Sequence, residues 1–462
     1  FCDKLLSIRG AKQLRIAFLC SRKNRSMQNW HWLLLISLLA LALRIPGAFW
    51  GHIDRAANIW EPDEFQHEQI ATEQMNFLDS TLYSERDFST IWNVRSYGIQ
   101  LGTVAYLGYR AGVLELKPHK IVFAGRFLSI IYSLLLVLLV YLLANFLFDS
   151  SRIALLAALL MSVFDLNITY SHYALPESSY VFWMYAAVFT LIFLYKKVVE
   201  TPPSFSAQWS NNFILLLFTP FPLAMSFATK FDFLPLVLCG LLLFYLVFRK
   251  ELQFAAFFTI GIWILLGFVG YYWLAHAFNI TFDDIERSYK VIRALNEDVV
   301  PEDKHWLHNP ILYLSAVIGG SSLPVVILAG ITLWLFAKNG NNRLPFLRKH
   351  TVAGIVMLCL FVGLEFLVRW RIDTPFVRRA NEFLPFCALL AAYGLHYFSY
   401  QKKDFWRRAL PAAVVLYTLG IAIVSQYNFW NDNRFLVQDY LQEQYPDQPA
   451  EYSVYASTVK SN

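Results

Sequence analysis

The stretch IVFAGRFLSIIYSLLLVLLVYLLANFLF, residues 121–148, decides the fold class of this chain. Its one charged residue is Arg126, and it is long enough to cross a bilayer as a helix, which takes about 20 mostly apolar residues. Similar runs recur along the chain, which is 57% hydrophobic and 16% charged. Soluble domains carry about 25% charged residues. The composition therefore predicts an all-α polytopic membrane protein and excludes a string of soluble domains.

The charges that flank the apolar runs predict which connections lie on each side of the membrane. We predict about eleven spans, at residues 31–50, 121–148, 153–170, 179–195, 212–229, 233–248, 253–276, 311–337, 351–368, 380–399 and 409–427. With a cytoplasmic N-terminus, Lys and Arg fall in the inner connections, as the positive-inside rule requires. The net charge of +6 is thereby explained, and no nucleic-acid partner is expected.

Three regions are expected along the chain. They are a basic cytoplasmic tail at 1–30, a transmembrane domain at 31–430, and an outer C-terminal tail at 431–462. Two alternatives stay open for the tail: either the natural start is Met27, or residues 1–26 belong to the protein as a cytoplasmic segment. Within the domain, residues 51–120 form a long first outer loop. We predict interfacial helices in this loop at 64–78 and 97–116, because a crossing at 97–116 would invert every later connection.

An acidic stretch, Trp60-Glu61-Pro62-Asp63-Glu64-Phe65-Gln66-His67-Glu68, follows the first span. Proline suits the first turn of a helix, which places Asp63 and Glu64 at a helix N-terminus. The helix dipole stabilises ionised carboxylates there. Asp63 could then act as a general base on an incoming hydroxyl, with Glu64 as its supporting neighbour. The alternative is that these acids only stabilise the start of the helix.

Basic residues break the charge rule in one outer segment, residues 369–379. Guanidinium groups suit phosphate, so Arg371, Arg378 and Arg379 are predicted to bind one. Lys230, in an outer turn, is a lesser candidate. The alternative is that these side chains cap the ends of spans or pair with neighbouring acids such as Glu382.

Glu177 follows Pro176 at another outer turn. It either orients an acceptor or binds a divalent cation beside Asp63, or it is simply a second acid at a helix start. A divalent cation is the one cofactor left open, and no metal site is predicted. The sequence has no Walker loop, no dinucleotide-binding glycine pattern after a strand, no HExxH and no CxxC. A transferase of this kind would take its donor through the membrane.

These motifs resemble the GT-C glycosyltransferases, in particular the dolichyl-phosphate-mannose α-mannosyltransferases of GPI-anchor and N-glycan assembly. The segments that carry the resemblance are Leu43-Arg44-Ile45-Pro46, Glu61-Pro62-Asp63-Glu64-Phe65-Gln66, Trp92-Asn93-Val94-Arg95-Ser96-Tyr97 and Arg379-Ala380-Asn381-Glu382-Phe383-Leu384-Pro385. The chain departs from the family at Glu61, where a histidine is usual, and at Trp92-Asn93, which stands for a longer aromatic motif.

The resemblance implies a GT-C-like bundle and a mannosyltransferase-like, inverting transfer of a hexose from a polyprenyl- or dolichyl-phosphate sugar. The acceptor would be a hydroxyl of a glycan or glycolipid, bound by Glu177, Arg95, Tyr97 and Gln66, with Asp63 as the base. The site would face the periplasm in a bacterial inner membrane, or the lumen of the endoplasmic reticulum in a eukaryote. A multi-pass lipid or solute transporter or flippase remains open, as does an oligosaccharide ligase that uses lipid-diphosphate donors.

Overall fold

The computed structural model describes residues 29–49, 62–79, 96–230, 234–277, 286, 308–339, 354–356, 358–360, 362–364, 366–367, 377–401, 404–430 and 443–444. This part of the chain contains helices and turns and no strand, which confirms the all-α prediction there. The predicted tail at 1–30, apart from its last two residues, lies outside it. So does the predicted C-terminal tail, apart from 443–444.

The described helices follow one another in chain order. They are α1 (Asn29–Ala48), α2 (Pro62–Leu78), α3 (Ser96–Arg110), α4 (Pro118–Phe148), α5 (Ser151–Ser162), α6 (Asp165–Ser171), α7 (Glu177–Glu200), α8 (Phe205–Phe218), α9 (Pro220–Lys230), α10 (Leu234–Phe248), α11 (Phe254–Ala277), α12 (His308–Gly320), α13 (Leu323–Asn339), α14 (Leu384–Gln401) and α15 (Asp404–Trp430). A 3₁₀ helix, Val377–Phe383, leads directly into α14.

Several of these helices can cross a membrane. Within the described residues, α1, α4, α7 and the part of α15 from Ala409 to Trp430 are each long and apolar enough to do so. Two bent pairs, α5 with α6 and α12 with α13, raise the number from four to six if each pair counts as one span. The protein is therefore an integral membrane protein with helical spans, and the count of eleven stays a prediction.

Three of the predicted spans are not single helices. The span predicted at 153–170 is divided between α5 and α6, which meet at 58°, and the one at 311–337 between α12 and α13, which meet at 114°. The sequence explains the second break, because Gly319-Gly320-Ser321-Ser322 favours helix poorly and Pro324 suits the first turn of a new helix. The span predicted at 212–229 is likewise divided, since α8 ends at Phe218 and α9 begins at Pro220.

The helices pack around a main core and two smaller ones. In the main core α4 packs against α5 and α7, and α14 packs against α5 and α13. Leu136, Leu143 and Ala157 are among its fully buried side chains. A second core joins α7 to α9, α10 and α11, and a third joins α2 and α3 to α4. The third core fixes α2 and α3, the described helices of the first outer loop, on the bundle.

The two helices predicted in the first outer loop are present as α2 and α3, and they lie closely against each other. A Cβ atom at Gly98 would lie 2.4 Å from the side chain of Ile70, and one at Gly102 would lie 2.6 Å from the carbonyl oxygen of Ala71. Glycines spaced four apart let two helix backbones approach in this way. The α2–α3 pair therefore depends on the absence of side chains at these two positions.

Candidate active site

A buried ion pair holds the first turn of α2. Arg126 Nε donates a hydrogen bond to Glu64 Oε1 at 2.9 Å, and Nη2 donates to Oε2 at 2.8 Å. The backbone N–H of Ala174 also donates to Glu64 Oε1, at 2.7 Å. The two side chains are only 4% and 0% exposed. Because a buried charge is stable only with a partner, this contact fixes α2 against α4 and the turn before α7.

Asp63 is the residue next to this ion pair. It is the second residue of α2, which begins at Pro62 as the sequence predicts, so its backbone lies in the anchored first turn. A carboxylate in that turn is favoured by the helix dipole. The side chains of Asp63 and Gln66, and the whole of Arg95 and Arg371, lie outside the described part. The roles predicted for these four residues stay predictions.

A second charged group lies where the beginning of α7, the end of α9 and the 3₁₀ helix meet. Lys230 Nζ is 3.4 Å from Glu177 Oε1 and 3.6 Å from Glu382 Oε1. Arg378 Nε is 3.6 Å from the same oxygen of Glu177. We call Glu177, Lys230, Arg378, Arg379 and Glu382 the Lys230 cluster. Four of its members, Glu177, Lys230, Arg378 and Arg379, are site residues predicted from the sequence, and they come from three segments that are far apart in the chain.

The Lys230 cluster carries an excess of positive charge. With every member ionised, its three cations and two carboxylates leave a net charge of +1. Burial lowers the pKa of Lys230, while Glu177 and Glu382 oppose this shift, and the nearby Arg379 and Arg378 reinforce it. The two carboxylates thus offset part of the cost of burying the lysine in this poorly solvated place. A surplus cation in such a place favours the binding of an anion.

Hydrogen bonds position the 3₁₀ helix that supplies part of this cluster. The hydroxyl of Tyr185 donates to the backbone oxygen of Glu382 at 2.9 Å, and Asn167 Nδ2 donates to Asn381 Oδ1 at 3.3 Å. Asn167 Oδ1 in turn accepts from Arg44 Nη2 at 2.7 Å. Arg44 belongs to the motif at the end of the first predicted span. The network therefore ties that motif to the 3₁₀ helix through α6.

Tyr97 lies away from any open surface. It is fully buried, its hydroxyl donates to the backbone oxygen of Gly125 at 2.8 Å, and it lies 2.8 Å from Ser129 Oγ. These contacts join α3 to α4. The acceptor-binding role of Tyr97 stays a prediction, and its position in the structure is that of a packing residue.

Sequence reasoning overlooked Arg126, whose signal was available. It is the one charge in the apolar run 121–148, and ionisable residues within spans are rare and paired.

His172, at the turn before α7, is buried, and burial lowers its pKa to about 3, so it is neutral near pH 7. Among the described residues no group of three or more His, Cys, Asp or Glu side chains could hold a metal ion.

Two comparisons bear on this arrangement. Residues 96–286 match the family model described as dolichyl-phosphate-mannose-protein mannosyltransferase. This match agrees with the predicted GT-C glycosyltransferase class over that part of the chain. The matched segment contains Arg126, Glu177 and Lys230, and so includes part of each charged group described above, while Glu64, Arg378, Arg379 and Glu382 lie outside it. Among curated proteins no sequence match is found.

Solved structures of low sequence identity share the fold. ArnT from Cupriavidus metallidurans bound to undecaprenyl phosphate is 12% identical, with a TM-score of 0.57 over 92% of this chain and 84% of that one. AglB, the oligosaccharyltransferase of Archaeoglobus fulgidus, in complex with an inhibitory peptide and a dolichol-phosphate, is 13% identical. Its TM-score is 0.55 over 92% of this chain and 59% of that one. The chain thus has the fold of these GT-C enzymes and spans under two thirds of the length of AglB.

Proposed function

We propose that the protein is a mannosyltransferase-like membrane enzyme that transfers a hexose from a polyprenyl- or dolichyl-phosphate sugar to an acceptor hydroxyl, with inversion. The observation that carries this proposal is the Lys230 cluster, in which two buried carboxylates hold partly buried cations and the cations are in excess. Two of its members, Glu177 and Lys230, lie within the segment that matches the mannosyltransferase family model. A lipid phosphate is the anion that a membrane enzyme of this class must stabilise.

The proposed reaction is a single displacement at the anomeric carbon. Asp63 accepts the proton of the acceptor hydroxyl, whose oxygen forms the new bond to that carbon. The bond from the anomeric carbon to the phosphate oxygen breaks on the opposite face, and the lipid phosphate leaves with the electron pair. Lys230, Arg378 and Arg379 stabilise the negative charge on the leaving phosphate. Preformed cations suit this task because they need no rearrangement during the reaction.

The carboxylates of both charged groups have positioning roles in this proposal. Glu64 is bound by Arg126 and Ala174, and so it anchors the turn that carries Asp63. Glu177 and Glu382 hold Lys230 and Arg378 in place and keep the cluster from being overcharged. Glu177 as an acceptor or cation ligand is the alternative, in which acceptor binding would displace one of these contacts.

The acceptor is proposed to be a glycan or glycolipid, reached from the non-cytoplasmic side of the membrane. That side is the periplasm in a bacterium or the lumen of the endoplasmic reticulum in a eukaryote. The predicted topology supports it, because alternating the spans from a cytoplasmic N-terminus places the segments that carry Glu64, Glu177, Lys230 and Arg378 on the outer side. A peptide hydroxyl is a further acceptor to include in any assay, given the protein acceptors named by the family model.

The test is a donor and acceptor screen with the purified protein in detergent and radiolabelled lipid-phosphate sugars. We expect transfer from a polyprenyl- or dolichyl-phosphate hexose, and we expect Asp63→Asn to abolish it. Asp149→Asn is the matched control, because Asp149 lies between α4 and α5 with φ 49°, a conformation that asparagine accepts. Full activity of Asp63→Asn would overturn the assignment of the base, provided that both variants elute as folded protein.

One observation favours the transporter reading. The bent pairs α5–α6 and α12–α13 are the kind of discontinuous helix that secondary transporters use around a substrate. The same preparation should therefore be reconstituted in proteoliposomes. Flux of lipid or solute, with no turnover of any lipid-phosphate sugar, would show that the protein is a transporter and would overturn the proposed enzyme activity. Turnover of lipid-diphosphate oligosaccharides alone would identify a ligase.

A further inference from the structure

A groove lies at the opposite end of the bundle from the Lys230 cluster. Its volume is about 540 Å³, and it is formed by α1, the beginning of α5, the end of α14 and Pro411 of α15. Helix α14 starts at the 3₁₀ helix of the cluster and reaches the groove at His396 and Ser399. At 1.5 Å per residue, that is roughly 20 Å further along the helix. The groove is therefore separate from the proposed active site.

The walls of the groove are apolar and face outward. Trp32 and Leu35 of α1 are 53% and 55% exposed, and Leu155 and Leu156 of α5 line the other wall. Both helices belong to predicted membrane spans, so the groove opens toward the hydrocarbon region. From Trp32 to Leu39, α1 rises about 10 Å. This is most of the depth of one leaflet, whose hydrocarbon part is about 15 Å thick.

One end of the groove is polar. Arg152, His396 and Ser399 line it, and Arg152 is exposed in the first turn of α5. Ser399 is only 8% exposed, and within the described residues its Oγ has no hydrogen-bond partner. A buried hydroxyl without a partner costs free energy, which a ligand that accepts a hydrogen bond would recover. The α5 N-terminus adds a positive electrostatic potential at the same end.

The charge of this end selects the ligand. Between Ser399 and Pro411 the sequence also carries Lys402, Lys403, Arg407 and Arg408 against a single acid, Asp404, so this segment of the chain is strongly basic. Basic groups at the cytoplasmic ends of spans attract anionic lipids. An apolar groove that ends at Arg152 and at the unpaired hydroxyl of Ser399 matches the shape and charge of one acyl chain with its phosphate group.

We propose that this groove binds one anionic phospholipid of the cytoplasmic leaflet. The acyl chain lies between α1 and α5, Arg152 pairs with the phosphate, and Ser399 donates a hydrogen bond to it. This lipid is drawn from the surrounding membrane and takes no part in the transfer reaction.

The test is native mass spectrometry of the purified protein, titrated with phosphatidylglycerol or with phosphatidylcholine of the same acyl chains. We expect one tightly retained phosphatidylglycerol per chain. Arg152→Gln should weaken it about tenfold, as expected for the loss of one hydrogen bond to a charged group, and Ser399→Ala should weaken it less. Arg249→Gln is the matched control, since Arg249 is an exposed arginine at the end of α10 that does not line the groove.

Three results would overturn the proposal. Equal retention of phosphatidylcholine would show that the groove does not select charge. An Arg152→Gln variant that binds phosphatidylglycerol as tightly as Arg249→Gln does would show that the lipid binds elsewhere. Displacement of the lipid by a second copy of the chain, seen as a dimer that retains none, would also overturn it. Arg152 is exposed, so its replacement leaves the fold intact and each outcome can be interpreted.

Discussion

The two ends of the helix bundle differ in whether their charged side chains are buried and paired or exposed. At the end that carries the proposed active site, Glu64, Arg126, Glu177 and Glu382 are each at most 4% exposed, and each has a partner of opposite charge. At the other end Arg152 is exposed, and it borders an open groove. Buried charges are costly unless geometry and partners are fixed. The first end is therefore built for a defined chemical geometry and the second for contact with lipid and water.

This difference in the burial of charge should affect the stability of variants. The largest loss of stability is expected for Arg126→Met. This change leaves the Glu64 carboxylate buried without its bidentate partner, so we expect the free energy of unfolding to fall by about 3–5 kcal/mol. Denaturant or thermal unfolding in detergent would measure it. The control is Glu115→Gln, which removes the ion pair between Glu115 and Lys117, 65% and 60% exposed, and should change nothing measurable.

A result in which both variants lose the same stability would remove the distinction between the two kinds of ion pair. The double variant Glu64→Gln with Arg126→Met offers a further check. It should recover part of the loss, because a neutral amide is cheaper to bury than an unpaired carboxylate. Failure to recover would point to lost packing around Arg126 as the main cause.

How far the sequence predicts this arrangement depends on how local each signal is. Pro62 and the acids after it predict the start of α2 correctly, because helix capping acts within one turn. The Lys230 cluster could not be predicted as a unit, because Glu177, Lys230 and Arg378 come from three distant segments whose meeting is fixed by packing. For the described residues, the helical class followed from composition and apolar periodicity, which many residues determine together.

The breaks within predicted spans were missed for a different reason, since their signals in the sequence are local. Hydropathy averages over about 20 residues, so it passes over Gly319-Gly320-Ser321-Ser322 and Pro220, although each has a local signature of a helix end. Arg126 was passed over for the same reason. In a membrane protein the average identifies the spans, while the exceptions within an apolar run identify the positions at which helices bend or charges are paired.

The next largest effect concerns activity, for Lys230→Met. Its ammonium lies against two carboxylates and 4.8 Å from the centre of the Tyr180 ring, and in the proposed reaction it stabilises the leaving phosphate. We expect turnover to fall about a hundredfold or more, as when one preorganised transition-state donor is removed. The measurement is the rate of sugar transfer as a function of donor concentration, together with a melting curve to show that the variant is folded.

Lys338→Met is the matched control for that experiment. Lys338 also lies 4.8 Å from an aromatic ring centre, that of Trp334, but it is in the last turn of α13, and no ion pair of it with an acid is seen among the described residues. Its replacement should leave turnover unchanged. A Lys230→Met enzyme that keeps at least half of the wild-type turnover would show that the cluster is structural and that the phosphate binds elsewhere.

The smallest effect is expected at the seam between α2 and α3, which carries the first turn of the proposed site. Gly102→Ala would place a methyl group 2.6 Å from the backbone oxygen of Ala71, where no side-chain rotation can relieve the overlap. The helices must separate, so we expect a loss of about 1–3 kcal/mol in the free energy of unfolding. Gly261→Ala is the control, because Gly261 lies in α11 with nothing within 4 Å of its added Cβ. That change should be neutral or slightly stabilising, since alanine favours helix over glycine. If the two variants unfolded alike, α2 would not be held by close backbone contact, and the anchoring of Asp63 would depend on the contacts of Glu64 with Arg126 and Ala174 and on the third core.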